Sequence, residues 1–341
     1  ELAPILESEL YRLAHENGFC LPSNHRITEL LRLPFYLNAY LQAYSILENI
    51  SDIDKFKNTL WHQQIDGGIY GNTASVMLCA LIRQKISDGV YYIFPDLIYK
   101  NDIQQLIDRE IIGFDPENNA YYIVHDVYEE WALTKIIQQA FVSGQYNDFF
   151  ERIGCELPIR RAYRLWLSEK LHSDANSLSA FVSYAINMPG YWKDETLIAI
   201  MLSPYASSFF NAFSDLLLKN DHGLLLQVTK LILIACRDFN NNVAFKNIIE
   251  QYRGHQYLFT TPLGNGWMAI ISFLYENREL FSYEEIAPFL PLLKDWCGHQ
   301  STGKTTKYAA LLALSFYSKY QTLEHRYTQK DNQHLLLHII T

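Results

Sequence analysis

The 341-residue chain is short of cysteine, of positive charge and of uninterrupted apolar sequence, and each shortage removes a class of protein. Its five cysteines (Cys20, Cys79, Cys155, Cys236, Cys297) lie far apart and form no Cys-x-x-Cys pair. That excludes a disulfide or zinc framework and leads us to expect free, mostly buried thiols in a reducing, cytoplasmic setting. Lys and Arg number 28 against 37 Asp and Glu, for a net charge of −9. A chain so acidic is a poor general partner for nucleic acid or for an anionic membrane. The most apolar stretch, Leu224 to Cys236, is interrupted by Gln227 and Lys230 and is too short to span a bilayer. Catalytic signatures are missing too: there is no His-Glu-x-x-His, no Gly-x-Ser-x-Gly and no local Cys–His pair. Asp52 and Asp54 are two apart, a spacing that reads as a helix N-terminus complementing its dipole. No signal peptide is visible, and a chain opening on Glu1 is expected to be a piece of a longer protein.

What is present is apolar residue at helical spacing. Hydrophobic residues make up 49% of the chain, enough for a packed core. Residues 1–66 read as helices, with a break at Pro34 and a last helix from Asp54 to Ile65, closed at Asp66-Gly67-Gly68 by glycine in the left-handed region. From Thr73 a helix runs to Ile86, and a second follows Pro95 to about Glu110. Two short apolar runs, from Ile111 to Phe114 and from Ala120 to Val124, flank Asp115-Pro116-Glu117-Asn118-Asn119 and predict a hairpin. Helices followed by a hairpin match a winged-helix order. Beyond Val127 apolar blocks alternate with short Gly, Pro, Asn and Ser loops, as in stacked helix pairs without a strict period. The expectation is a mainly α protein: a helical lid over 1–66, a winged helix over 67–135, and an α-solenoid of TPR- or HEAT-like repeats over 136–341.

One string fits the phosphate-cradling P-loop pattern, Gly298-His299-Gln300-Ser301-Thr302-Gly303-Lys304-Thr305. The chemistry needs a strand ending at the first glycine, whereas Pro288 to Trp296 is a helical pattern. No apolar strand ending in a magnesium-binding Asp follows either, so an inter-helix loop is the better reading. The winged helix invites a DNA-binding role, but its recognition segment, from Asn101 to Glu110, carries Asp102, Asp108 and Glu110 against Arg109 alone. Groove entry needs cations facing phosphates; an interaction module fits better. Rich aromatic content, 24 Tyr and 19 Phe, reads as inter-helix packing and not as a base-stacking platform.

Two stretches remain: Leu30-Leu31-Arg32-Leu33-Pro34-Phe35-Tyr36-Leu37, and Tyr121-Tyr122-Ile123-Val124-His125-Asp126-Val127-Tyr128-Glu129-Glu130-Trp131-Ala132-Leu133. The second predicts a strand turning at His-Asp into a helix, where free helix N–H groups welcome an anion. A histidine there can also simply bond a backbone group. In order and separation the two resemble the C-terminal ATPase half of STAND NTPases, the signal-transducing class that includes NACHT and NB-ARC proteins. The wording of Leu31–Leu37 and Tyr122–Ala132 is most similar to large bacterial members, some of which are antiviral sensors. The resemblance covers about residues 1–135. It implies a lid proline on the adenine, matched by Pro34, and a winged-helix His-Asp, matched by His125 and Asp126, whose histidine contacts the β-phosphate of bound ADP. It further implies that ADP or ATP, with Mg, is held mainly by a P-loop domain upstream of Glu1. On this resemblance the segment itself is non-catalytic and the full protein an ATPase; the helical repeats sense a protein ligand, and activation brings oligomerisation. Where the family's lid pattern has Gly two positions before the proline, this chain has Arg32. The alternatives are a helical-repeat scaffold that binds no nucleotide, and a winged-helix DNA-binding regulator.

Overall fold

The computed structural model describes residues 4–67, 73–94, 100–142, 144, 146–219, 221–239 and 260–319, and the chain divides into two compact units, Glu1–Ser143 and Gly144–Thr341. Among the described residues the protein is mainly helical, with two small antiparallel sheets. No helix there is long and apolar enough to cross a membrane.

The first unit opens with α1 (Glu7–Asn17), α2 (His25–Leu31), α3 (Pro34–Gln42), α4 (Tyr44–Leu47) and α5 (Ile53–Trp61). Local chemistry sets the starts. The Asn24 side chain accepts from the Arg26 amide at 2.9 Å at the head of α2. Pro34 is the first residue of α3, where its missing N–H is no loss. Asp52 accepts from the Lys55 amide at 2.7 Å to cap α5, and Asp54 lies in the first turn, so the two carboxylates serve the helix start. A π-helical turn, His62–Asp66, extends α5. The chain leaves it at Gly67 with φ −68°, so Gly67 is not the left-handed closing glycine; Gly68 lies outside the described residues. What glycine provides is space: a Cβ at Gly67 would lie 2.9 Å from the His62 carbonyl oxygen.

Next come α6 (Thr73–Asp88), α7 (Lys100–Asp108), strands β1 (Ile112–Asp115) and β2 (Ala120–Ile123), and α8 (Asp126–Val142). The expected hairpin is present, pairing Ile112 with Ile123 and Asp115 with Ala120. Asp115 organises its turn by accepting from the Glu117 amide at 2.9 Å and the Asn118 side chain at 2.7 Å. On the other edge of β2, Ile93 forms an isolated bridge, exchanging both backbone hydrogen bonds with Tyr121 at 2.8 and 3.0 Å. Glu110 closes α7 with φ 56°, and the Ile111 amide bonds back to the Leu106 carbonyl at 2.9 Å. A non-glycine residue is strained in that left-handed position. Glu110→Gly should therefore raise the urea midpoint by the equivalent of a few tenths to about 1 kcal/mol, while Glu110→Ala should not.

The second unit comprises α9 (Phe149–Ile153), α10 (Leu157–Ser173), α11 (Ser179–Ala185), α12 (Tyr191–Leu202), α13 (Ala206–Ala212), α14 (Ser214–Leu217), α15 (Gly223–Ala235), strands β3 (Arg237–Phe239) and β4 (Thr260–Pro262), α16 (Gly266–Glu276), α17 (Tyr283–Ile286), α18 (Leu290–His299) and α19 (Lys304–Lys319). Helix α10 packs on α12, α12 on α15, α13 on α16, and both α16 and α18 on α19. Its first core is aromatic: Phe149, Phe150, Tyr163, Trp166, Phe181 and Trp192 are buried against one another. The sheet is pinned by Arg237, whose guanidinium pairs with Asp295 and donates to Thr260.

All five cysteines are free; Cys20 and Cys155 are exposed, and Cys79, Cys236 and Cys297 are buried. Burial pushes the thiols of Cys79 and Cys297 up to about 11 and that of Cys236 up to about 12. Because the thiolate is the nucleophile, a maleimide or disulfide reagent at about pH 8 should modify Cys20 and Cys155 rapidly and the other three only after unfolding. Mass-spectrometric mapping of the labelled sites checks this.

Candidate functional site

The residues marked out by the sequence converge where α3 begins and α8 begins. Strand β2 ends at Ile123, Val124 and His125 make the turn, and α8 opens at Asp126. The His125 ring is exposed at the surface and turns back on its own helix: Nδ1 accepts the Val127 amide at 3.2 Å. The His125 carbonyl takes the Tyr128 amide at 2.9 Å, so His125 caps α8 with both backbone and side chain. An Nδ1 that accepts a hydrogen bond has no proton, which leaves the ring proton of the neutral imidazole on Nε2. Nε2–H is then a donor on an exposed ring beside the positive end of a helix dipole. Asp126 is exposed in the first turn of the same helix. A carboxylate accepts hydrogen bonds and does not donate them, so Asp126 can serve the helix start but cannot itself bond an anion's oxygen.

Pro34 comes to the same place through its neighbour. Phe35 lies against His125 with ring centroids 4.4 Å apart and planes inclined by 38°. It also meets Tyr128 edge-on at 5.2 Å and Trp131 at 5.6 Å, both from the first turns of α8. Next to it Tyr36 is buried, and its hydroxyl accepts from Trp131 Nε1 at 3.0 Å across 95 residues of sequence. Burial first, and then the charge of Glu110, push the Tyr128 phenol up, so Tyr128 stays neutral as a wall of this cluster. An ion pair of Lys85 with Glu129 joins α6 to α8, and Lys135 donates to Asn58 Oδ1 at 2.7 Å, joining α8 to α5.

Arg32 is committed elsewhere. Its Nε donates to the Ile5 carbonyl at 3.0 Å, its Nη1 to Glu29 Oε2 at 2.6 Å, and its own carbonyl takes the Ile5 amide at 2.7 Å. It binds the incoming chain to the end of α2. Arg109, the single cation of the segment 101–110, is half-buried and donates its guanidinium to the carbonyl oxygen of Ile65, which ties the end of α7 to the π-helical turn. The P-loop-like string begins inside α18, crosses a loop over residues 300–303, and enters α19 at Lys304; no strand leads into it. Thr306 holds that loop, accepting from Trp296 Nε1 at 3.2 Å. Among the described residues no three His, Cys, Asp or Glu side chains gather as a metal site.

The sequence singles out Pro34, His125 and Asp126 and does not single out Phe35, Tyr36, Tyr128 and Trp131, which form the aromatic cluster beside His125. The available signal was the aromatic spacing of Tyr128 and Trp131 on one face of α8. Comparison with protein-family models and with curated protein sequences gives no match.

Proposed function

We propose that the chain is the regulatory and ligand-sensing part of a STAND-type ATPase switch. In this reading α1–α5 form the helical lid, and α6–α8 with the hairpin form a winged helix. The second unit is a solenoid that senses a partner protein in the cytoplasm, in bacterial antiphage defence. His125 latches onto the β-phosphate of ADP held by a P-loop domain outside these residues, and Pro34 packs on the adenine. The observation that carries the reading is the Val127–His125 bond, because it leaves Nε2–H to donate to an anion. Further support comes from the Ile93 bridge to Tyr121, a single-residue contact on the free edge of β2, where a winged helix would carry a further strand. The pairing of helices close in sequence through the second unit agrees with stacked repeats.

The latch works by linkage. A bond from His125 to bound ADP stabilises only the arrangement in which the winged helix faces the nucleotide; exchange for ATP, or a partner on the repeats, shifts the balance. Losing a hydrogen bond to a charged group costs about 1.5–3 kcal/mol. His125→Ala in the full-length protein should thus weaken ADP by about 10- to 100-fold and favour the active state. Unchanged ADP affinity by calorimetry overturns the proposal.

One observation favours a second reading, a scaffold that binds no nucleotide: an N-cap histidine is satisfied by Val127 alone. A full-length protein that gives no heat with ADP selects it. Duplex DNA is the poorer ligand, since the segment 101–110 sets Asp102, Asp108 and Glu110 against Arg109 alone, and Arg109 is held by the Ile65 carbonyl.

A further inference from the structure

A histidine exposed at a helix start normally samples several ring orientations and both neutral tautomers. The 3.2 Å bond from the Val127 amide selects one of them, but only while the ring keeps Nδ1 turned toward its own helix. Rotation about Cα–Cβ would swing the whole ring away from that amide. Something has to hold the ring against this rotation, and the one ring against it among the described residues is Phe35, 4.4 Å away. Phe35 is itself held. Tyr128 and Trp131 meet it edge-on, and the neighbouring Tyr36 is bonded to Trp131 Nε1 at 3.0 Å. The first turn of α3 therefore cannot slide along α8 without breaking a buried hydrogen bond.

We propose that Phe35 is a positioning residue for His125: its ring, pinned by α8, keeps the imidazole as an Nε2–H donor before any ligand arrives. Phe35 makes no hydrogen bond and carries no charge, so its effect is on the orientation of His125 and not on the anion directly. The proposal rests on reading His125 as the phosphate contact only for its functional consequence; the positioning itself is a property of the free chain. Pre-setting a donor removes an ordering cost from the binding step; for comparison, the hydrogen-bonding partners that orient metal-binding histidines are worth about tenfold or more in metal affinity.

The test is nitrogen NMR of histidine side chains in the 341-residue chain, with His125 assigned by the signal lost in His125→Gln. The wild type should show a single neutral tautomer with the proton on Nε2. Phe35→Ala should show a mixture approaching that of free histidine, with the backbone amide spectrum otherwise intact, and Phe35→Tyr should restore the single form. If Phe35→Ala does not fold, Phe35→Leu, which keeps apolar volume without a ring face, decides the matter by the same readout. A folded Ala or Leu variant whose His125 keeps the wild-type pattern overturns the proposal. In the full-length protein Phe35→Ala should weaken ADP about tenfold and Phe35→Tyr should recover it. Absence of ADP binding in the wild type, with the tautomer result intact, defeats the latch and leaves the positioning standing.

Discussion

Phe149→Ala should destabilise the second unit by about 3–5 kcal/mol, the range for removing a fully buried phenyl ring. Phe149 has no exposed surface. Its ring meets Phe150 at 5.0 Å and Phe181 at 5.1 Å edge-on, and Tyr163 and Trp166 at 6.1 and 6.2 Å. The cost sits at the upper end because the walls cannot close on the cavity. Tyr163 is bonded to Thr196 Oγ1 at 2.8 Å, and Thr196 in turn donates to the Trp192 carbonyl at 2.8 Å. Arg164 grips the buried Glu195 at 2.6 Å, so α10 and α12 are held apart by polar contacts as well as rings. A domain stable by 5–15 kcal/mol would lose a large share of its margin. Urea denaturation of Phe149→Ala beside Phe149→Leu checks this; a loss under about 1 kcal/mol for the alanine variant would mean that the cluster is loosely packed.

Gly264→Val should cost on the order of 3 kcal/mol, by two routes that act together. Gly264 has φ +83°, a conformation that disfavours any β-branched side chain, and a Cβ there would lie 2.7 Å from Leu202 Cα and 2.7 Å from the Met201 carbonyl oxygen. These are backbone atoms at the end of α12, which cannot swing aside as a side-chain tip could. Gly266 is seated against the same turn, with Met201 Cβ 2.7 Å from where its own Cβ would be. The pair lets the start of α16 sit directly on α12. Thermal unfolding should show the loss at Gly264, with Gly264→Ala intermediate. A valine variant as stable as the wild type would show that this turn moves away from α12 freely.

Much of this was legible in the sequence, because much of it is local. Asp52 and Asp54 read as a helix start and Asp115 to Asn119 as a turn, since each bonds backbone within a few residues. The junction at His125 was readable for the same reason. The expectation of helices alternating with short loops after Val127 missed β3 and β4, whose three-residue strands pair Arg237 with Pro262 across a separation too long for a hairpin pattern. Two of the apolar blocks divide in the structure: residues 209–218 span parts of α13 and α14, and residues 286–296 span the end of α17, a 3₁₀ turn over Ala287–Phe289 and most of α18. The surroundings of the candidate site lay out of reach because they are ring contacts across some ninety positions, such as Phe35 on His125. Periodicity marks Tyr36 and Trp131 as buried but does not say that they meet.

The latch is tested most directly by following the His125 ring nitrogens in full-length, histidine-labelled protein as ADP is added. The proposed function predicts that Nε2 shifts with ADP and not with AMP, which lacks the β-phosphate, while Nδ1 keeps the signature of a nitrogen accepting the Val127 amide. A protein saturated with ADP whose His125 signals stay where they were would contradict it.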